Sequence, residues 1–196
     1  MIKNLSDLFQ YLQADKRSKG VSSWVKGGLF DPVFRFTILL RLNEYLQNSN
    51  KPFIFRALPL LYFRRLSVRL GFSVPLNVFG AGLAIVHYGL LVVNPSAKIG
   101  KNCRIHAGVN IGGAAGFVSS EESRHLAPTI GHNCYIGPGV KMFGPIVIGD
   151  SCVIGANAVV NKSFENSDVT IGGIPAKIIS YVGSNGKVKL GATLNL

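Results

Sequence analysis

The sequence predicts a mostly β protein, a parallel β-helix of hexapeptide repeats preceded by an α-helical segment, and three observations carry that prediction. From residue 130 onward an aliphatic residue recurs every six positions, at Ile130, Ile136, Met142, Ile148, Ile154 and Val160. A glycine often follows it, as at Gly131, Gly137, Gly149 and Gly155. The first seventy residues show helical apolar spacing instead, with a surplus of basic charge.

In chain order the helical part comes first, over residues 1–72. Leu5, Leu8, Phe9 and Leu12 in residues 4–15, and Phe34, Ile38, Leu39, Leu42, Tyr45 and Leu46 in residues 31–48, fall on single helical faces. Asp31-Pro32 is a helix start, with proline in the first turn. Residues 53–70 mix Phe53, Phe55, Leu60, Leu61 and Phe63 with Arg56, Arg64, Arg65 and Arg69. Pro52 and Pro59 predict short helices there rather than one. The segment reads as a cap packed on the first coil and on neighbouring subunits, or as a basic amphipathic surface lying on a membrane.

The repeats fill residues 73–182. Their phase extends upstream through Ile111, Ile105, Ile99 and Val93, and places His87 at a first-of-six position. A helix of 3.6 residues per turn would smear a six-residue period around its surface. A parallel β-helix uses it directly: each short strand sends one aliphatic inward, and glycine takes the corner. A β-sandwich would space its turn signals about 8–12 residues apart, without a constant phase. Nineteen positions separate Ile111 from Ile130 and break the register, so residues 112–129 read as a loop excursion from the coil. Residues 183–196 read as a loosely ordered tail.

Composition narrows the classes. A hydrophobic content of 47% with 23 glycines excludes a disordered chain. Three cysteines without short spacing form neither a disulfide framework nor a zinc site, which fits reduced thiols in the cytoplasm. Residues 1–7 lack the apolar run of a secretory signal, so none is expected, and without an apolar run of about 20 residues no membrane span is expected either. The net charge is +12, and residues 1–75 hold twelve Lys/Arg against four Asp/Glu. Such asymmetry suits an anionic ligand or lipid surface; no nucleic-acid-binding signature accompanies it.

Several segments together resemble the hexapeptide-repeat acyltransferases, in the serine acetyltransferase-like branch. They are Ile85-Val86-His87-Tyr88-Gly89-Leu90-Leu91-Val92-Val93, Ala97-Lys98-Ile99-Gly100, Val109-Asn110-Ile111-Gly112-Gly113, Val153 to Val160, and Gly172-Gly173-Ile174-Pro175-Ala176-Lys177-Ile178. The resemblance implies a left-handed coil, a homotrimer, and acetyl-CoA as co-substrate with no metal. Acetyl transfer to an alcohol needs a base for the hydroxyl proton and donors for the oxyanion, and a neutral imidazole suits the first task. Of the four histidines, His87 matches the family's catalytic histidine. Arg124-His125 resembles the Arg-His pair of its active-site loop, which makes His125 a second catalytic candidate and Arg124 a substrate contact. His106 is expected to point outward and His132 to be a solvated corner residue. For CoA the resemblance points to Gly112, Gly113, Pro138 and Ala156, whose small side chains leave room for the pantetheine. Lys162 and Lys177 are candidates for its phosphates, or ordinary surface lysines.

One departure bears on the acceptor. Serine acetyltransferases carry an Asp directly before this histidine and another about one coil upstream. Here Val86 precedes His87, and residues 71–77 contain no acid. With a shorter helical segment as well, the expectation is O-acetylation of a surface-polysaccharide sugar, presented on a lipid carrier at the cytoplasmic face of the membrane. The alternatives are serine O-acetylation in cysteine biosynthesis and an inactive β-helix scaffold.

Overall fold

The computed structural model describes residues 1–114 and 126–194. Four helices open the chain: α1 (Leu5–Lys19), α2 (Trp24–Phe30), α3 (Pro32–Asn48) and α4 (Phe53–Leu70). Asn4 and Asp7 close a capping box on α1, and Asp31 caps α3 ahead of Pro32. Two details differ from the sequence expectation. Leu5 and Phe9 of α1 stay in solvent, at 67% and 62% exposure, while Ala14, Asp15 and Ser18 form its buried face. And α4 is one helix of 18 residues that runs through Pro59. Proline removes one backbone hydrogen bond. Packing of Phe63, Leu66 and Leu70 into the apolar cluster that also holds Phe36, Leu39 and Leu40 offsets that loss. The Phe36 and Phe63 rings stack at 5.1 Å.

Among the described residues the β-helix follows as fourteen short strands: β1 (Phe72–Ser73), β2 (Ala84–Ile85), β3 (Leu91–Val93), β4 (Lys98–Ile99), β5 (Arg104–Ile105), β6 (Asn110–Gly112), β7 (Thr129–Ile130), β8 (Tyr135–Ile136), β9 (Lys141–Phe143), β10 (Val147–Ile148), β11 (Val153–Ile154), β12 (Val159–Val160), β13 (Thr170–Gly172) and β14 (Lys177–Ser180). They form three faces, in the orders β1-β3-β6-β9-β12, β10-β7-β4 and β14-β13-β11-β8-β5-β2. The pairings among these strands are parallel except the terminal β13–β14 hairpin. The hexapeptide phase becomes vertical stacks: Ile99 on Ile130 on Ile148, and Ile105 on Ile136 on Ile154. Cys103, Cys134 and Cys152 are buried free thiols within the coil.

The corners carry the left-handed backbone that lets the chain turn. One column repeats it at Gly82, Asn102, Asn133, Ser151 and Asp168. Against this column lies the C-terminal segment, which packs rather than hanging loose. Ser184 donates its N–H to Ser151 O at 2.8 Å. Farther along, the Asn102 side chain accepts from Gly191 and Ala192 and donates to Ala192 O. At Gly191 a side chain would meet Ala14 O of α1. The segment thus runs back across several coils to the first helix.

A buried ionic cluster joins the helices to the first coil. Arg41 on α3 is fully buried and bonds Asp15 of α1 at 2.7 Å and Glu44 at 2.9 Å. Its remaining donors reach Phe79 O and Gly80 O. Asp15 also accepts from Gly82 N and Leu83 N, and Glu44 from Asn77 N. Burial opposes the Arg41 charge, but the two carboxylates more than offset it and hold the guanidinium ionised.

Candidate functional site

The strand register locates His87. Elsewhere the corner leading into the β1-β3-β6-β9-β12 face separates stacked inward residues by six positions, as in Ile105 to Ile111 and Ile136 to Met142. Ile85 stacks on Ile105 and Val93 on Ile111, which are eight apart. Two extra residues therefore widen this corner, and His87 does not occupy an inward position. It projects into solvent beside Tyr88 and Leu90, which are 71% and 60% exposed. The upstream phase in the sequence misplaced it because the insertion is silent until the strands are paired.

In the coils that follow His87 the corner is built from small residues. Gly108 N donates to Leu90 O at 2.6 Å, Gly139 N to Ala107 O at 3.0 Å, and Asn157 N to Pro138 O at 2.8 Å. Gly139 has φ +74°, and a Cβ there would lie on the Asn157 side chain. Pro138 and Ala156 are exposed on this edge, so His87, Pro138 and Ala156 share one column. The β13–β14 hairpin, with exposed Lys177 opposite Gly172, closes its far end through Ala176 N to Val159 O.

Other candidates lie across the sheet. Gly112 pairs with Phe143 at the opposite corner, and Gly113 packs against the Asn94 side chain. Lys162 follows β12 at that corner, its ammonium 5.5 Å from the Phe164 ring centre. The excursion leaves and rejoins here, where Ala114 N donates to Leu126 O. Arg124 and His125 lie outside the described residues. His132 stands at the third corner as a partly buried cap: its Nδ1 accepts from Lys101 N, and its own N–H donates to Asp150.

Three side chains near His87 were not legible as site residues. Lys19 of α1 donates to Ile85 O at 2.8 Å and pairs with Asp31 at 3.3 Å. Arg104 on β5 makes no ion pair among the described residues. His106 is half-buried rather than simply outward, with its ring centre 6.2 Å from that of His87 and 5.0 Å from that of Tyr135. Burial first, then the charges of Arg104 and His87, lowers the His106 pKa, so this imidazole is neutral near pH 7. The signal for all three was the register of β2, β5 and β8, which no single repeat reveals. Among the described residues no group of three or more His, Cys, Asp or Glu could hold a metal ion.

Comparison with known proteins agrees with this architecture. Residues 127–162 match the family model described as bacterial transferase hexapeptide (six repeats). The chain is 32% identical over 170 residues to a serine acetyltransferase of Buchnera aphidicola, covering 86% of this chain and 59% of that protein. It is 30% identical over 177 residues to a serine acetyltransferase of Synechococcus elongatus, covering 88% of this chain and 69% of that one. A solved serine acetyltransferase in complex with CoA superposes with a TM-score of 0.68 at 25% identity, over 89% of this chain and 71% of that chain. The hexapeptide-repeat match and the structural likeness together make the coil left-handed. The matches also overturn the expectation of a polysaccharide acceptor, because the relatives are consistently serine acetyltransferases. They extend over the helical segment too, whose shortness had argued the other way.

Proposed function

We propose that this chain, which belongs to the serine acetyltransferase family of hexapeptide-repeat proteins, is an acetyl-CoA-dependent O-acetyltransferase with serine as its acceptor. The widened corner carries the reading: His87 stands in solvent at the head of a column whose small residues leave room for an extended thiol cofactor. His87 takes the hydroxyl proton as the acceptor oxygen attacks the acetyl carbonyl. The C–O bond forms, the C–S bond breaks, and the proton passes to the departing CoA thiolate. Pro138 and Ala156 border the pantetheine path, with Lys177 at its end and Gly112, Gly113 and Lys162 at the facing corner. The resemblance assigns Arg124 and His125, which lie outside the described residues, to acceptor binding and catalysis. Arg104 favours an acceptor that carries a carboxylate. A thiol-release assay with acetyl-CoA tests this: turnover with serine is expected, and none with serine would overturn it.

Two finer readings belong to the same proposal. The exposed Tyr88 and Leu90 beside His87 suit burial by a second copy, which favours a homotrimer with the groove between subunits; light scattering that returned an active monomer would refute it. On α4, Ile54, Leu58, Leu61 and Val68 are exposed together with Arg64, Arg65 and Arg69. That face suits peripheral contact with an anionic lipid surface. No described helix is long and apolar enough to cross a membrane.

A further inference from the structure

The His106 ring is not explained by its own packing. Its backbone N–H is used by Ile136 O, yet its Nε2 is closed off from solvent and has no hydrogen-bond partner. A polar atom left in that condition costs free energy and calls for a partner. The ring lies between His87 and Tyr135. Arg104 of β5 acts on it electrostatically, and Lys19 of α1 reaches the same corner through Ile85 O. Among the described residues no carboxylate bonds either imidazole, and Val86 leaves none beside His87 in the chain.

A general base needs one ring nitrogen held as a donor, so that the other keeps its lone pair on the substrate hydroxyl. A neutral imidazole with a bare Nε2 can accept that N–H. Two imidazoles joined by an N–H···N bond of ~2.9 Å sit with their centres ~5 Å apart. From 6.2 Å the closing movement is small, and the exposed His87 is free to turn through it. We infer that His106 is the positioning residue for His87: its Nε2 accepts the His87 N–H and fixes the tautomer and aim of the base without a carboxylate. The inference rests on His87 being the base of the proposed acetyl transfer. It also means that protonating either ring silences the site: a protonated His87 cannot take the hydroxyl proton, and a protonated His106 has no lone pair to offer His87.

Steady-state kinetics on His106→Leu, His106→Gln and His87→Ala decide the matter. His106→Leu should lower kcat about 10–100-fold, the usual loss when an orienting partner is removed, with KM for acetyl-CoA unchanged. His106→Gln, whose Oε1 can accept from the same place, should recover to within a few-fold. The acid limb of kcat/KM should report two protonations in the wild type and one in His106→Gln. Full kcat in His106→Leu, with His87→Ala inactive, would overturn the dyad and leave the base standing. An active His87→Ala would overturn the base itself. Where a melting curve shows His106→Leu misfolded, ¹⁵N spectra of the wild-type imidazoles decide. A single fixed His87 tautomer sustains the inference, and fast averaging between tautomers overturns it.

Discussion

Replacing Asp15 by Ala should loosen the junction between the helices and the coil by about 3–5 kcal/mol, the range for breaking a buried ion pair from one side. The carboxylate receives Arg41 Nε at 2.7 Å, Gly82 N at 2.7 Å and Leu83 N at 2.8 Å. Without it Arg41 keeps a single acid, Glu44, inside a site closed to water, and two backbone donors lose their acceptor. Each stranded donor alone costs about 1–3 kcal/mol, but the groups share one cavity and the losses do not add in full. Asp15→Asn supplies the isolating comparison, since an amide oxygen still serves Gly82 and Leu83 while the charge is gone. Its loss should fall between wild type and Asp15→Ala. Denaturant midpoints and slopes at neutral pH measure both, and hydrogen exchange at Gly82 and Leu83 places the damage. A loss below about 1 kcal/mol for Asp15→Ala would mean that the carboxylate does not organise the junction. An apolar triad would not rescue it, because the cluster also serves Asn77 N, Phe79 O and Gly80 O.

Deleting Tyr88 and Gly89 restores six positions between the inward residues Ile85 and Val93, so the fold should survive within about 1 kcal/mol while turnover disappears; circular dichroism with the thiol assay checks it, and a variant that keeps turnover contradicts the role of the widened corner. The lowered pKa of His106, against an ordinary value of 6.5, makes the unfolded chain take up the proton first on acidification. Its stabilising contribution is present above pH 6.5 and lost as the pH falls through the lowered folded value, so the wild type should lose more stability than His106→Leu between neutral and mildly acidic pH, read as urea midpoints. Sedimentation with anionic vesicles at low salt should retain the protein, and Arg64→Ala with Arg65→Ala and Arg69→Ala should release it, each arginine contributing on the order of 1 kcal/mol. Equal partition with neutral and anionic vesicles would leave the α4 face without a lipid role.

Much of the coil was legible because its core is a one-residue rule. Ile130, Ile136, Ile148 and Ile154 had only to be aliphatic and six apart, and each one stacks inward. What escaped was information that exists only between coils. The widening at Tyr88-Gly89 looks in the sequence like another repeat, so His87 was found by resemblance and misplaced by phase. His106 and Arg104 gained meaning only when β2, β5 and β8 came into register. On α1 the apolar stripe was the wrong guide, since the buried face is small and charged to receive Arg41. Pro59 misled because tertiary packing outweighed a local rule. The acceptor was misjudged because the missing acids at Val86 and in residues 71–77, with the shorter helical segment, were weighed above likeness along most of the chain.

A stack of repeats ordinarily behaves as a row of coupled units, each answering only to its neighbours and able to fray from either extremity. Here the stretch from Ser184 to Ala192 returns along the corner column, bonding in turn to the coils of Ser151 and Asn102 before meeting Ala14. The late coils are therefore tied through this segment to the earliest helix, although well over one hundred positions separate them in the chain. Such lacing turns an open row into a closed circuit. The terminal coils cannot melt on their own without also giving up their hold on α1, so unfolding becomes more all-or-none than the repeat architecture alone implies.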